Sequence, residues 1–377
     1  MPLILIITII ISIFLHPIIP LEAKSVIYAL SLTIKSIILF MLPFIIFGLL
    51  FKTFVRLSDQ AAGTFLLIFG SLCVSNFLNT FITHYIGSFI YYIDFNLQRI
   101  YSHVDSLEPH FVFLIPNFIK NEIALLGGIA VGVIIAAYNK KLALAISKKI
   151  DVLVKNLFSI VSFLTPLFIV GFVLKCASDG NLVTIVKNYS QILLILIAYA
   201  VSYTVVFFFI ACRFSFTSCL SCLKNMIPAW LTAISTASSV LTMPVTILSV
   251  EKNAKNKELA GSVISSTVNI HLLGDCLAIP LLAYAVLKNY GLEEPSLYSY
   301  FIFTIFFVIA KFSVAAVPAG GIIVMVPILE KYLNFTPEMS TLIITLYVIF
   351  DPIITGFNIL GNGALAKFID GCKTQDT

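Results

Sequence analysis

The sequence predicts an all-α polytopic membrane protein with eight transmembrane helices and two re-entrant helical hairpins. Three observations carry that expectation. Hydrophobic residues make up 60% of the 377 and charged residues 11%, with a mean hydropathy of +1.06, the profile of a chain solvated mainly by bilayer. Apolar windows long enough to cross a membrane recur through the first half of the chain. In the second half the apolar runs shorten, and proline and glycine interrupt them.

A transmembrane helix needs about 20 mostly apolar residues, and such windows lie around 3–20, 26–54, 61–92, 121–138, 145–176 and 184–212. The first has no basic stretch before it and no small-residue cleavage pattern after it, so it reads as a helix rather than a signal peptide. After Arg213 the pattern is broken near Pro244, Pro280, Pro318, Gly320, Gly321 and Pro352. Irregular backbone in lipid is tolerated only where protein buries it or it lines a wet cavity. The stretch SSVLTMPVT, 238–246, followed by the charged run 251–257, therefore reads as one re-entrant hairpin at a transport site. The stretch KFSVAAVPAGG from Lys311 reads as a second. Paired proline-interrupted segments of this kind point to an inverted-repeat carrier, with two kinked, packed helices as the alternative.

Basic residues divide about two to one between alternate loops, with Lys52, Arg56, Lys140, Lys141, Arg213, Lys252, Lys255 and Lys257 among those on the richer side. That asymmetry predicts cytoplasmic N- and C-termini, and the compact loops suggest a bacterial inner (plasma) membrane. The net charge of +5 is spread through loops and forms no stripe, so no nucleic-acid partner is expected. The seven cysteines have no spacing that suggests a disulfide framework, and the Cys219–Cys222 pair lacks neighbouring ligands for a metal.

Four segments in order carry a family resemblance. SSVLTMPVT resembles the first hairpin tip of the dicarboxylate/amino acid:cation symporters, the glutamate-transporter family, where a serine run precedes T-L-P-V-T. TVNIHLLGD from Thr267 stands where that family has T-I-N-M-D-G-T, and AVPAGG from Ala316 resembles the second tip, G-V-P-G-A-G. FDPIITGFNILGNGALAKFID from Phe350 is similar to the eighth helix, D-x-x-R-T-x-x-N-x-x-G-D. The resemblance implies an elevator-type carrier and a homotrimer. It places scaffold helices one and two in 1–60 and four and five in 121–180. Helix three and an external loop fall in 61–120, and the transport core of helix six, both hairpins, and helices seven and eight in 181–377.

A zwitterion in a low-dielectric pocket needs both charges met. Asp351 is an acid inside an apolar run, a functional candidate by default, though a helix start before Pro352 is its structural alternative. By resemblance Asp351 holds the substrate ammonium, and Asn358 and Ser239, beside Ser238, meet the α-carboxylate. Thr355 lies one turn from Asp351, and Val317 falls at the second tip. Interhelical hydrogen bonding is the competing role for Asn358, Thr355 and Ser239. Thr267, Asn269, Asn358 and Asn362 hold positions that help coordinate sodium in the family, and Ser71 is the nearest candidate from helix three.

The departures from the family pattern shape the expectation. Ile354 replaces the arginine that reads an acidic side chain, and Leu273 replaces a threonine. Without a guanidinium a second carboxylate would be buried unpaired, so a neutral, aliphatic amino acid is expected against an apolar wall of Ile354 and Leu273. Asn362 and His271 stand where the family has aspartates, which weakens at least one sodium site. His271 and Asp275, four apart, are expected on one helix face as a proton relay, with Lys311 as a tethered positive charge paired to Asp275. A packed polar cluster is the alternative.

The expected function is a symporter for an amino acid, coupled to Na+ and/or H+, needing no cofactor and no resident metal and embedded in membrane lipid. A dicarboxylate or glutamate/aspartate symporter is one alternative. Another is an intramembrane enzyme using His271 and Asp275, or Ser238 and Ser239 with a histidine. A third is a receptor or channel that has lost coupling. Concentrative uptake separates a carrier from the last two.

Overall fold

The computed structural model describes residues 2–57, 62–92, 107–113, 115, 116, 118–179, 182–314 and 320–373, and every regular element among them is an α-helix. The helices are α1 (Pro2–Leu15), α2 (Leu21–Leu57), α3 (Ala62–Tyr92), α4 (Asn121–Tyr138), α5 (Lys140–Ser178), α6 (Leu182–Ala211), α7 (Phe216–Thr236), α8 (Ser239–Glu251), α9 (Lys257–Thr267), α10 (Leu273–Asn289), α11 (Leu297–Lys311), α12 (Gly320–Tyr332) and α13 (Pro337–Lys373). Five are long and apolar enough to cross a membrane, in α2, α3, α5, α6 and α13. The first apolar window is shorter as helix than as sequence. Helix α1 stops at Leu15, ahead of Pro17 and Pro20, because proline offers no N–H to continue the ladder.

The helices pack in two groups. Helix α2 lies along α4 and α5, and α1 along α5. Small residues allow this closeness: a Cβ on Gly171 would lie 2.4 Å from the Cβ of Ser31, and one on Gly128 would lie 2.7 Å from the carbonyl of Phe47. The second group is built around α10 and α13, which pack on each other and on α3, α6, α7 and α9. Helix α10 is buried along almost its whole length, so its apolar residues run continuously rather than in a stripe.

Two pairs of short helices fold back on themselves. Helices α7 and α8 pack together across the two-residue turn Ala237–Ser238, and α11 packs on α12. The first turn is held by hydroxyls: Thr242 Oγ1 donates to the carbonyl of Ser238 at 2.8 Å and lies 3.1 Å from Thr236 Oγ1. The tip of the second pair, with Val317, lies outside the described residues.

One expectation is corrected. Residues 267–275 do not form a continuous helix: α9 ends at Thr267 and α10 begins at Leu273, with a turn over 268–270 and irregular backbone at 271 and 272. Asn362 stabilises the break, its Nδ2 donating to the carbonyls of His271 and Asn358, both at 2.9 Å. These bonds give the 271 carbonyl a partner without a helical ladder.

Candidate functional site

The turn of the first hairpin, the break between α9 and α10, the start of α12 and the middle of α13 meet around a cleft of about 40 Å³. It is lined by Ser238 and Ser239, by Asn269, Leu272 and Asp275, and by Tyr347, Asp351, Thr355 and Asn358, with Val268, Val314 and Gly321 closing it. Asp351 lies 14 residues inside α13, which runs on through Pro352, so it is not a helix-start residue. Its carboxylate accepts a hydrogen bond of 3.2 Å from Thr355 Oγ1. Tyr347, Asp351, Thr355 and Asn358 follow one another at three- and four-residue spacing, which puts them on one face of α13.

Two helices begin at the same cleft. Ser238 caps α8, its Oγ accepting from the N–H of Leu241 at 3.4 Å. Helix α10 starts at Leu273, and its Leu272 cap supplies no side-chain acceptor. The first turn of a helix presents unsatisfied N–H groups and the positive end of its dipole, which suits a carboxylate. The cleft is thus polarised, holding both the Asp351 carboxylate and two helix N-termini.

Asp275 is the most heavily bonded side chain of the site. Its Oδ2 lies 2.8 Å from Lys311 Nζ, and its Oδ1 accepts from Tyr347 Oη at 3.1 Å and Asn358 Nδ2 at 3.0 Å. Both members of the ion pair are buried, Lys311 at 0% and Asp275 at 1% exposure. The ammonium also lies 4.8 Å from the centre of the Phe307 ring. A Cβ on Gly321 would lie 2.4 Å from Asp275 Oδ2, so only glycine lets α12 come this close.

His271 does not share a face with Asp275, contrary to the relay expected from their spacing. The break turns its ring toward α3, where Nε2 lies 2.9 Å from Ser75 Oγ, while Asp275 turns to Lys311. Helix α3 meets the break through Ser75 and through Asn76, whose Nδ2 donates to the carbonyl of Ile270 at 3.0 Å. These residues lie one turn beyond the expected Ser71.

The apolar wall is also corrected. Leu273 is wholly buried against α13, where a Cβ on Gly361 would meet its side chain, and Ile354 is buried where α10 crosses α13 at Gly274. Neither lines the cleft, whose apolar surface comes from Ala237, Val268, Leu272 and Val314.

Three of the four positions expected to bind a cation, Thr267, Asn358 and Asn362, form a bonded cluster. Thr267 Oγ1 donates to Asn362 Oδ1 at 3.0 Å, and Asn362 Nδ2 serves the two carbonyls named above. An amide N–H₂ here supplies the positive charge density that a carboxylate in its place would leave to a cation. Asn269 Oδ1 is buried with no hydrogen-bond partner among the described residues. Sequence reasoning missed Tyr347, Ser75 and Asn76. Tyr347 was findable as the residue one turn before Asp351, and the α3 pair as polar residues inside an apolar span.

No individually curated protein matches the chain. The profile of the sodium:dicarboxylate symporter family matches residues 1–372, and the chain belongs to that family.

Proposed function

We propose that this protein is a symporter that takes up a neutral amino acid, with Asp351 holding the ammonium and the first turns of α8 and α10 receiving the carboxylate. Its family consists of membrane symporters of dicarboxylates and amino acids for which sodium is the coupling ion, and no cofactor takes part. The observation that carries the finer reading is the polarity of the cleft, with a buried carboxylate among two helix N-termini.

The charge balance favours a neutral side chain. Among the described residues no lysine or arginine lines the cleft, and Asp275, which does, already engages Lys311. An acidic side chain would have to break that pair or be buried unpaired. Against the His271–Asp275 form of the enzymatic alternative, His271 is bonded to Ser75 and Asp275 to Lys311.

In the mechanism that follows, α1, α2, α4 and α5 are the scaffold of a homotrimer in the inner membrane, with both termini cytoplasmic. The group around α10 and α13 moves past it with substrate and cation bound. Transport then rests on differential binding of the two ligands to two arrangements of the chain.

The test is uptake of labelled amino acids into proteoliposomes with sodium and proton gradients imposed separately. Concentrative uptake of alanine or another neutral amino acid is expected, and Asp351→Asn lowers it by more than about tenfold, the loss of one buried charge-assisted contact. Concentrative uptake of glutamate or aspartate in preference to alanine would overturn the reading.

A further inference from the structure

Among the described residues two charged side chains line the cleft, Asp275 and Asp351, and both are acids. A zwitterionic substrate adds no net charge to them, so a buried site made this way needs positive charge from elsewhere. One such charge is covalently part of the chain. Lys311 is the last residue of α11, and its wholly buried Nζ lies 2.8 Å from Asp275 Oδ2. That carboxylate is the ammonium's one hydrogen-bond partner among the described residues, and the Phe307 ring flanks it at 4.8 Å.

The position of this ammonium distinguishes it from a pair that serves packing alone. Asp275 stands in the first turn of α10, and the groups gathered on its carboxylate come from three other helices. Lys311 arrives from the end of α11, Gly321 from the start of α12, and Tyr347 and Asn358 from α13. Both arms of the second helix pair, α11 and α12, therefore meet on one carboxylate beside the cleft. A carboxylate with a hydroxyl 3.1 Å away supplies the oxygen ligands that a small hard cation takes. The Lys311 ammonium already occupies that carboxylate. Kept for stability alone, a buried ion pair gains little over apolar side chains of the same volume.

We propose that the Lys311 ammonium is a tethered substitute for a coupling cation: it supplies, at the meeting point of α10, α11, α12 and α13, a positive charge that would otherwise arrive as a free monovalent cation with the substrate. The protein thus couples to one cation fewer than the same chain would without Lys311. A charge that cannot dissociate holds α11 and α12 on Asp275 at any ion concentration. It also adds nothing to the driving force, because it is not released with the substrate on the far side.

The inference rests on the symporter reading, and its test separates the two. Binding of labelled L-alanine to the full-length protein is measured while sodium chloride replaces choline chloride at fixed ionic strength. Lys311→Ala removes the ammonium with its stem and leaves room for an ion and its water. Asp275→Asn combined with Lys311→Met removes both charges and keeps that room filled. Below saturation, a tenfold rise in sodium is expected to raise the alanine affinity of Lys311→Ala by about tenfold more than it raises that of wild type, the effect of one additional linked ion. Equal sodium dependence in Lys311→Ala and wild type overturns the substitution and leaves the symporter reading standing.

Thermal unfolding provides a second readout that needs no substrate. Sodium, compared with choline, is expected to raise the midpoint of Lys311→Ala by more than that of wild type, because an ion bound only by the folded chain stabilises it. The double variant, which lacks the carboxylate, is expected to show no such added rise. This readout decides the matter should Lys311→Ala bind no alanine: an added rise that the double variant lacks supports the tethered cation, and no added rise overturns it. Wild type that binds no alanine at any sodium concentration overturns the substrate reading, while unfolding still reports whether an ion takes the place of the ammonium.

Discussion

At the scale of single residues the site turns on Asp275. Four groups surround its carboxylate: the Lys311 ammonium, the Tyr347 hydroxyl, the Asn358 amide and the close backbone of Gly321. A buried ion pair adds little over an apolar pair of equal volume, but removing one partner leaves an uncompensated charge. Lys311→Met is therefore expected to lower stability by about 3–5 kcal/mol, and Asp275→Asn combined with Lys311→Met to restore most of it. Thermal unfolding in detergent measures both, and equal losses in the single and double variants would show that the pair is not charged. Both charges stand out in the sequence as isolated ionic residues in apolar runs, and their pairing was legible from that. The His271 partner was not. Counting four residues from Asp275 assumes a helix that Asn362 interrupts from 91 residues away, and no local pattern reports such a bond.

At the scale of elements the two-residue turn between α7 and α8 makes the first hairpin possible. Ala237 caps α7 with φ 45° and ψ 39°, a left-handed conformation that favours glycine over an L-residue by about 1 kcal/mol. Ala237→Gly is expected to raise the unfolding free energy by up to about 1 kcal/mol, offset in part by the freer unfolded chain. Ala237→Val, branched at Cβ, is expected to lower it; unfolding by denaturant decides, and a stabilised valine variant would count against the strained turn. At the far end of α8, Asp370 on α13 accepts from the N–H groups of Lys255 and Asn256 at 2.9 and 2.8 Å while 1% exposed. Asp370→Ala removes the acceptor of two part-buried backbone N–H groups and is expected to destabilise by about 1–2 kcal/mol. Hydrogen exchange should then rise across 251–257 first, and unchanged protection there would refute the clamp. Long spans such as α2, α5 and α6 were legible because hydropathy over about 20 residues is a local property. The hairpin was legible from its serines and proline. The place where α9 stops was not, because the groups that satisfy its free backbone come from α13.

At the scale of the whole molecule the two helix groups touch along a surface with few polar links. Lys35 on α2 is one of them: buried, its Nζ donates to the carbonyl of Pro337 at 2.7 Å and to Thr341 Oγ1 at 3.2 Å, both in the first turns of α13. Nearer the other end of α2, Thr53 Oγ1 donates to the carbonyl of Phe312 at 3.3 Å, where α11 ends. Around Lys35 the surface is apolar, with Ile38, Leu39 and Phe168 on one side and Ile323, Val326 and Ile344 on the other. Apolar surfaces can slide with little directional preference, whereas hydrogen bonds from an ammonium select one register. The Lys35 link thus favours the observed arrangement over others by about 1.5–3 kcal/mol, the range for a bond from a charged donor. Lys35→Met keeps the apolar stem and removes the donor, so it should move the equilibrium between arrangements by about tenfold or more. The substrate cleft, which Lys35 does not line, should retain its intrinsic affinity. Single-molecule distance measurements between a label on α5 and one at the exposed start of α11 would show the shift as a second population. An unchanged distribution, with uptake rates equal to wild type, would mean that the apolar surface alone sets the register and that Lys35 is only a satisfied buried cation.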